Sequence, residues 1–183
     1  MDLATTDNDQ KKEVWRAKPR WKPPDGGMLK INVDAGFVED LHQGSTALGV
    51  RDHEGKLLRA QALWSDSISN VLMAEAYAIR DGVRLACDLG YREVALESDS
   101  LQVVKMLESS HHNRSEISAI LHDITVLSGH LENFKLIYVP REANELAHLC
   151  AKQATSSRRR CLWINYIPAF LIDCIRRDCN PES

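Results

Sequence analysis

Leu29-Lys30-Ile31-Asn32-Val33-Asp34 alternates aliphatic and polar side chains and stops on a carboxylate. Alternation with period two marks a strand with one apolar face. It puts Asp34 on the face opposite Leu29, Ile31 and Val33. Two more acidic residues stand where their surroundings should be apolar or should be ending. Glu75 interrupts a helical stripe of Leu72, Ile79, Val83 and Ala86, and Asp99 closes a second strand-like run, Glu93-Val94-Ala95-Leu96-Glu97-Ser98-Asp99. If the fold brings the three together, each pair repels by roughly 4 kcal/mol at ~4 Å and an effective dielectric of ~20. Such a group persists only with protons or a cation to neutralise it, so the pattern reads as a divalent-metal site.

Working outward, Ala47–Arg51 and Lys56–Ala62 flank Asp52-His53-Glu54-Gly55, a hairpin signal that makes strands one to three an antiparallel meander. The period then changes. Asn70 or Ser69 can cap a helix reaching about Leu89, with Gly90 where a C-terminal glycine belongs. Leu101, Val104 and Leu107 mark a short helix, and Ile117, Ile120, Leu121, Ile124 and Leu127 line another. Phe134–Val139 reads as a fifth strand stopped by Pro140, and Asn144 as the cap of a last core helix. The expected fold class is α/β: a five-stranded mixed sheet, meander 1-2-3 followed by parallel strands 4 and 5, flanked by helices. Residues 1–27 read as a partly disordered tail, although Trp15 and Trp21 suggest that its second half lies against the domain. Residues 28–155 form the domain, and 156–183 are expected to be an extension, a helix packed on it.

Composition narrows the classes. The 183 residues suffice for one domain with a real core. A net charge of −3 means that any nucleic-acid contact must come from a local basic patch. The five cysteines are odd in number and form no CxxC pair, which argues against a disulfide framework or zinc ribbon and suits a reducing compartment. The N-terminal residues lack the apolar core of a signal peptide. The apolar stretch Cys161–Ile175 carries Asn165, Pro168 and Asp173 and is too short to span a bilayer. A soluble, intracellular, monomeric protein is expected, with no membrane partner and no small-molecule cofactor.

Four motifs in order carry a family resemblance: Lys30-Ile31-Asn32-Val33-Asp34-Ala35-Gly36-Phe37, Ala74-Glu75-Ala76, Glu97-Ser98-Asp99-Ser100, and Val139-Pro140-Arg141-Glu142-Ala143-Asn144 with Ala147-His148. Together they resemble the ribonuclease H type 1 domain, in its plant reverse-transcriptase-like, retrotransposon-related group, over roughly residues 28–155. The resemblance implies cleavage of the RNA strand of RNA/DNA hybrids with two divalent ions, Mg²⁺ or Mn²⁺. It also implies roles for the matching residues. Asp34 bridges both ions, Glu75 binds one and sits near the ribose 2′-hydroxyl, and Asp99 holds the ion that presents the attacking water. The general type 1 enzyme has a fourth carboxylate where this chain has His148, a replacement that weakens Mg²⁺ preference in favour of manganese or softer ions. A catalytically weak or inactive nucleic-acid-binding or protein-interaction module on the same fold is the alternative.

Plainer readings stand beside these. Asp34 can begin a turn with Ala35-Gly36, Asp99 can cap the helix that starts at Leu101, and Glu75 can pair with Arg80 or Arg84. His148 reads either as a ligand or as a helix-face histidine. Asn144 reads as an N-cap with a secondary contact to the nucleic-acid backbone, and Arg141 as a group that reaches either a phosphate or the sheet edge. Glu97 shares the parity of Asp99 but is expected in solvent. Arg158-Arg159-Arg160 reads first as a solvated charge run. The stretch Ser109–Glu116 is too short and mixed to supply a basic grip on substrate.

Overall fold

In the computed structural model, which describes residues 19–109 and 116–180, the alternating run at 29–34 becomes the centre of strand β1 (Leu29–Val38). It sits inside a sheet of order β5-β4-β1-β2-β3-β6. β1 runs antiparallel to β2 (Gln43–Arg51), which runs antiparallel to β3 (Leu57–Ser65). The Asp52 carboxylate closes the β2–β3 hairpin by accepting from Glu54 N and Lys56 N, and Gly55 takes the positive φ of +79°. β4 (Glu93–Ser98) and β5 (Asn133–Tyr138) continue the sheet in parallel on the other side of β1. This is the mixed α/β architecture expected from the element order.

The sheet has six strands rather than five. The sixth, β6 (Cys161–Ile164), pairs antiparallel with β3. Its four residues lie in a stretch whose overall apolarity masks a period of two: Leu162 and Ile164 face outward and are exposed, while Trp163 turns inward and meets Phe170 edge-on at 5.3 Å. A 3-10 turn and a short helix, α5 (Ile172–Cys179), follow.

Helices cover both faces of the sheet. On one, α1 (Val71–Asp88) and α3 (Glu116–Ser128) close a core over Ile31, Val33, Leu48, Val50, Val94 and Leu96. The α1 N-terminus is capped as the sequence indicates: the Asn70 side chain accepts from Met73 N at 3.0 Å. Helix α2 (Leu101–Glu108) follows β4 directly. On the other face, α4 (Glu145–Ser157) and α5 cover Ala47, Ala60 and Ala62 in a second core. The polar residues of β1 therefore point at α4 rather than at water, and Lys30, Asn32 and Asp34 are all buried. Two glycines let the layers approach. A Cβ on Gly82 would lie 2.8 Å from both Leu96 Cδ1 and Val33 Cγ1, and one on Gly49 only 1.9 Å from Leu146 Cδ2. Among the described residues, no helix is long and apolar enough to cross a membrane.

Candidate metal centre

Parallel pairing of β1 with β4 stops at Val33–Ser98. Just past it, the chain beyond β4 turns away into α2 while β1 runs on beside β2. The strand order reverses here too, since β1 leads to β2 on one side and the later strands return on the other. Crevices at the carboxyl ends of strands at such a reversal are where open α/β sheets present ligand groups. Asp34 is the first β1 residue past the last pairing, Asp99 the first residue after β4, and Glu75 enters from the second turn of α1. One carboxylate oxygen from each lies within 4.8 Å of the others.

The electrostatics follow from that spacing. Glu75 is pushed up to about 8, first by burial and then by the neighbouring Asp34 and Asp99, with Arg141 opposing weakly. Its Oε2 is buried without a hydrogen-bond partner. The pairing of Glu75 with Arg80 or Arg84 considered from the sequence is not found; Arg80 turns to its neighbour Asp81 instead. Asp99 is also raised, by burial and then by Asp34, while a hydrogen bond from Asn144 and the charge of Arg141 act against the rise. An oxygen-only donor set with one orphaned, buried carboxylate oxygen fits a hard divalent cation.

The remaining sequence-selected residues surround this group. His148, one turn into α4, places Nδ1 2.9 Å from Asp34 Oδ2. Arg141 is exposed; its guanidinium lies 2.7 Å from His148 Nδ1 and 4.0 Å from Asp99 Oδ2. Asn144 departs from expectation. Its side chain does not cap α4; it is fully buried and donates to Val33 O at 2.8 Å and to Asp99 Oδ1 at 3.2 Å. With its amide spent on protein groups, it has no free face for nucleic acid, and it serves the carboxylate instead. Asp99 does not cap α2 either: Ser100 occupies that position, without a side-chain cap bond.

Glu97 corrects a second expectation. It is buried, paired with Lys30 at 2.7 Å, and accepts from Asn32 Nδ2 at 2.9 Å. Asn32 was not singled out from the sequence, yet it joins Glu97 to Asn144, whose Oδ1 accepts from Asn32 Nδ2 at 3.1 Å. The signal was its parity: it shares the Asp34 face of β1, and α4 covers that face. Arg158, Arg159 and Arg160 are exposed, as a solvated run would be. Six residues of the Ser109–Glu116 stretch lie outside the described residues, as do Trp15 and the first part of the N-terminal tail.

A profile of the reverse transcriptase-like family matches residues 32–154, well over half of the chain and all of the crevice. The chain belongs to the reverse transcriptase-like family. Among solved structures, this family member resembles the RNase H1 of the archaeon Halobacterium salinarum, at 18% identity and TM-score 0.66 over 71% of this chain and 98% of that one. It resembles the N-terminal RNase H domain of a Mycobacterium tuberculosis protein to the same extent, at 19% identity and TM-score 0.65 over 71% and 94%. LC11-RNase H1, isolated from compost by a metagenomic approach, matches in its complex with an RNA/DNA hybrid at 17% identity and TM-score 0.58 over 69% and 99%. At these identities the likeness establishes the ribonuclease H fold. Among curated proteins, no sequence matches.

Proposed function

We propose that this reverse transcriptase-like family member is a metal-dependent nuclease that hydrolyses the RNA strand of RNA/DNA hybrids. The observation that carries the reading is the convergence of Asp34, Glu75 and Asp99, with Glu75 Oε2 buried and unpartnered at the point where the strand order reverses. Asp34, Glu75 and Asp99 would hold Mg²⁺ or Mn²⁺, two ions in the working complex, with His148 beside Asp34. When bound, divalent ions lower the pKa of a coordinated water and stabilise the departing 3′-oxygen as the P–O3′ bond breaks.

The chain's own residues prepare the site. Asn144 donates to Asp99 and thereby favours its ionised form. With its carboxyl pushed up to about 8, Glu75 would exchange its proton for a bound divalent cation, because the two compete for the same oxygens. Arg141, exposed at the mouth of the crevice, is placed to meet a backbone phosphate. Selection of RNA over DNA would come from the 2′-hydroxyl and the shallow minor groove, so base specificity should be low. The hybrid held by LC11-RNase H1 on the same fold supports this substrate class.

A second reading, a hybrid-binding module without efficient chemistry, draws on His148 at the fourth position and on the net charge of −3. One experiment separates the two. A labelled RNA/DNA hybrid is incubated with the protein in Mg²⁺ and, separately, in Mn²⁺, beside Asp34→Asn. Cleavage that the variant lacks supports the nuclease. Hybrid retained on the protein but left intact in both metals supports the module.

A further inference from the structure

Arg51 heads the fully buried side chains of the described residues by volume, and it is charged. Burial of a cation demands partners, and its partners form a directed path. Nη1 donates to Asp178 Oδ2 at 2.6 Å, Nη2 donates to Asn32 Oδ1 at 2.9 Å, and the guanidinium stacks on Trp21 at 3.5 Å from the ring centre. We propose that Arg51 and Asn32, anchored by Asp178 of the C-terminal helix, position Asp99 for metal through Asn144. This inference rests on the metal-site reading above.

The argument is one of hydrogen-bond polarity. A guanidinium carries donors only, so the oxygen end of the Asn32 amide must face Arg51. The nitrogen end then faces the other way, and its two hydrogens go to Glu97 Oε2 at 2.9 Å and to Asn144 Oδ1 at 3.1 Å. With Oδ1 committed, the Asn144 amide must present its nitrogen to Val33 O and Asp99 Oδ1. Reversal of the Asn144 amide would set an oxygen against the Asp99 carboxylate, and reversal of the Asn32 amide would set one against Glu97 and a donor against Arg51. The orientation of one buried cation is thus copied across two amides to a group of the metal centre. Asp178 and Trp21 lie outside residues 32–154, so segments beyond the family match on both sides orient a group inside it. Arg51, Asn32 and Asp178 are positioning residues, since none of them touches the crevice carboxylates.

The test uses the full chain and the variants Asn32→Leu and Arg51→Met/Asp178→Leu. A well-packed apolar pair can replace a buried ion pair without loss of stability, so the paired variant separates positioning from folding. Mn²⁺ titration by calorimetry, run where circular dichroism shows each protein folded, should give affinity about tenfold weaker for both variants, the usual cost of losing a group that orients a ligand. In parallel, the Asn144 side-chain amide resonances should shift and exchange faster with water. Wild-type affinity in both variants, or Asn144 resonances unmoved in both, overturns the relay while leaving the metal site intact. If the natural chain takes up no Mn²⁺, the metal reading fails by itself, and the Asn144 resonances still decide the relay. Asp178→Asn, read the same way, replaces the paired variant if that one does not fold.

Discussion

His148 Nδ1 lies 2.9 Å from Asp34 Oδ2, and the Arg141 guanidinium approaches both ring nitrogens, Nδ1 at 2.7 Å and Nε2 at 3.2 Å. Nδ1 thus lies between the carboxylate and the guanidinium, which hold the ring beside the crevice. An aspartate at this place would add an anionic oxygen beside Asp34 and favour the harder ion. His148→Asp is expected to raise Mg²⁺-supported cleavage by about tenfold or more and to lower thermal stability without metal. A cleavage assay in Mg²⁺ alone checks it; a rate no higher than that of the natural chain would clear His148 of limiting the reaction.

The raised Glu75 pKa makes the stability of the metal-free protein depend on pH. In the unfolded chain Glu75 ionises near its ordinary value of 4.5, whereas in the fold it keeps its proton to about 8. Below pH 4.5 both states hold the proton and nothing is lost. As pH climbs from there to 8, the unfolded state alone gains by ionising, and the fold weakens, a change fully expressed above 8. Each pKa unit of separation corresponds to about 1.4 kcal/mol, so the melting temperature should fall on the order of 10 °C across the window. Glu75→Gln should flatten this dependence and melt above the natural chain at pH 8.5, matching it at pH 4.5. Mn²⁺ should recover stability in the natural chain and much less in the variant. Parallel pH profiles for the two proteins would contradict the assignment.

Arg141 has a second consequence. It is an exposed cation beside Asp99 and His148, in a chain whose net charge is −3, so phosphate contacts should be few. Arg141→Ala should weaken hybrid binding evenly across sequences and reduce the salt slope by about one. Fluorescence anisotropy at several salt concentrations measures both. An unchanged slope would place Arg141 off the nucleic-acid path.

Much of this architecture was legible from local patterns, and the misses share one cause. The period-two run at 29–34, the Asn70 cap and the Asp52 turn are determined by neighbours in sequence, so they could be read directly. So could the three carboxylates, because each violates the pattern of its own element. Glu97, Asn32 and Asn144 escape a local reading because their partners come from one another's elements, β1, β4 and the start of α4, which lie more than forty positions apart in sequence. Until α4 covers the sheet, the polar face of β1 looks like a solvent face. The strand β6 was missed because Leu162 and Ile164 are apolar yet exposed, which hides alternation inside an apolar run. Arg51 follows the same rule: a charged residue at the end of a strand reads as exposed until Trp21 and Asp178 arrive from the two ends of the chain.

The contact that brings α4 down is itself testable. Gly49 pairs with Asn32 across the β1–β2 ladder, and Leu146, fully buried in α4, sits directly over it. A methyl group at Gly49 would lie 1.9 Å from Leu146 Cδ2. Leu146 is fully buried, so room for the methyl requires either a new Leu146 rotamer or a lift of α4, and a lift carries Asn144 away from Asp99. Gly49→Ala should cost about 1–3 kcal/mol of stability, the range for overpacking a core, and should weaken Mn²⁺ binding. Leu146→Ala alone should cost roughly 2–5 kcal/mol through the cavity it leaves. In the double variant the new methyl enters that cavity, so the combined loss should fall short of the sum by about 1 kcal/mol or more, as expected for residues in contact. Denaturant unfolding of the four proteins closes the cycle. Strict additivity would mean that Gly49 does not set the height of α4, and the close approach that carries Asn144 to Asp99 would need another cause.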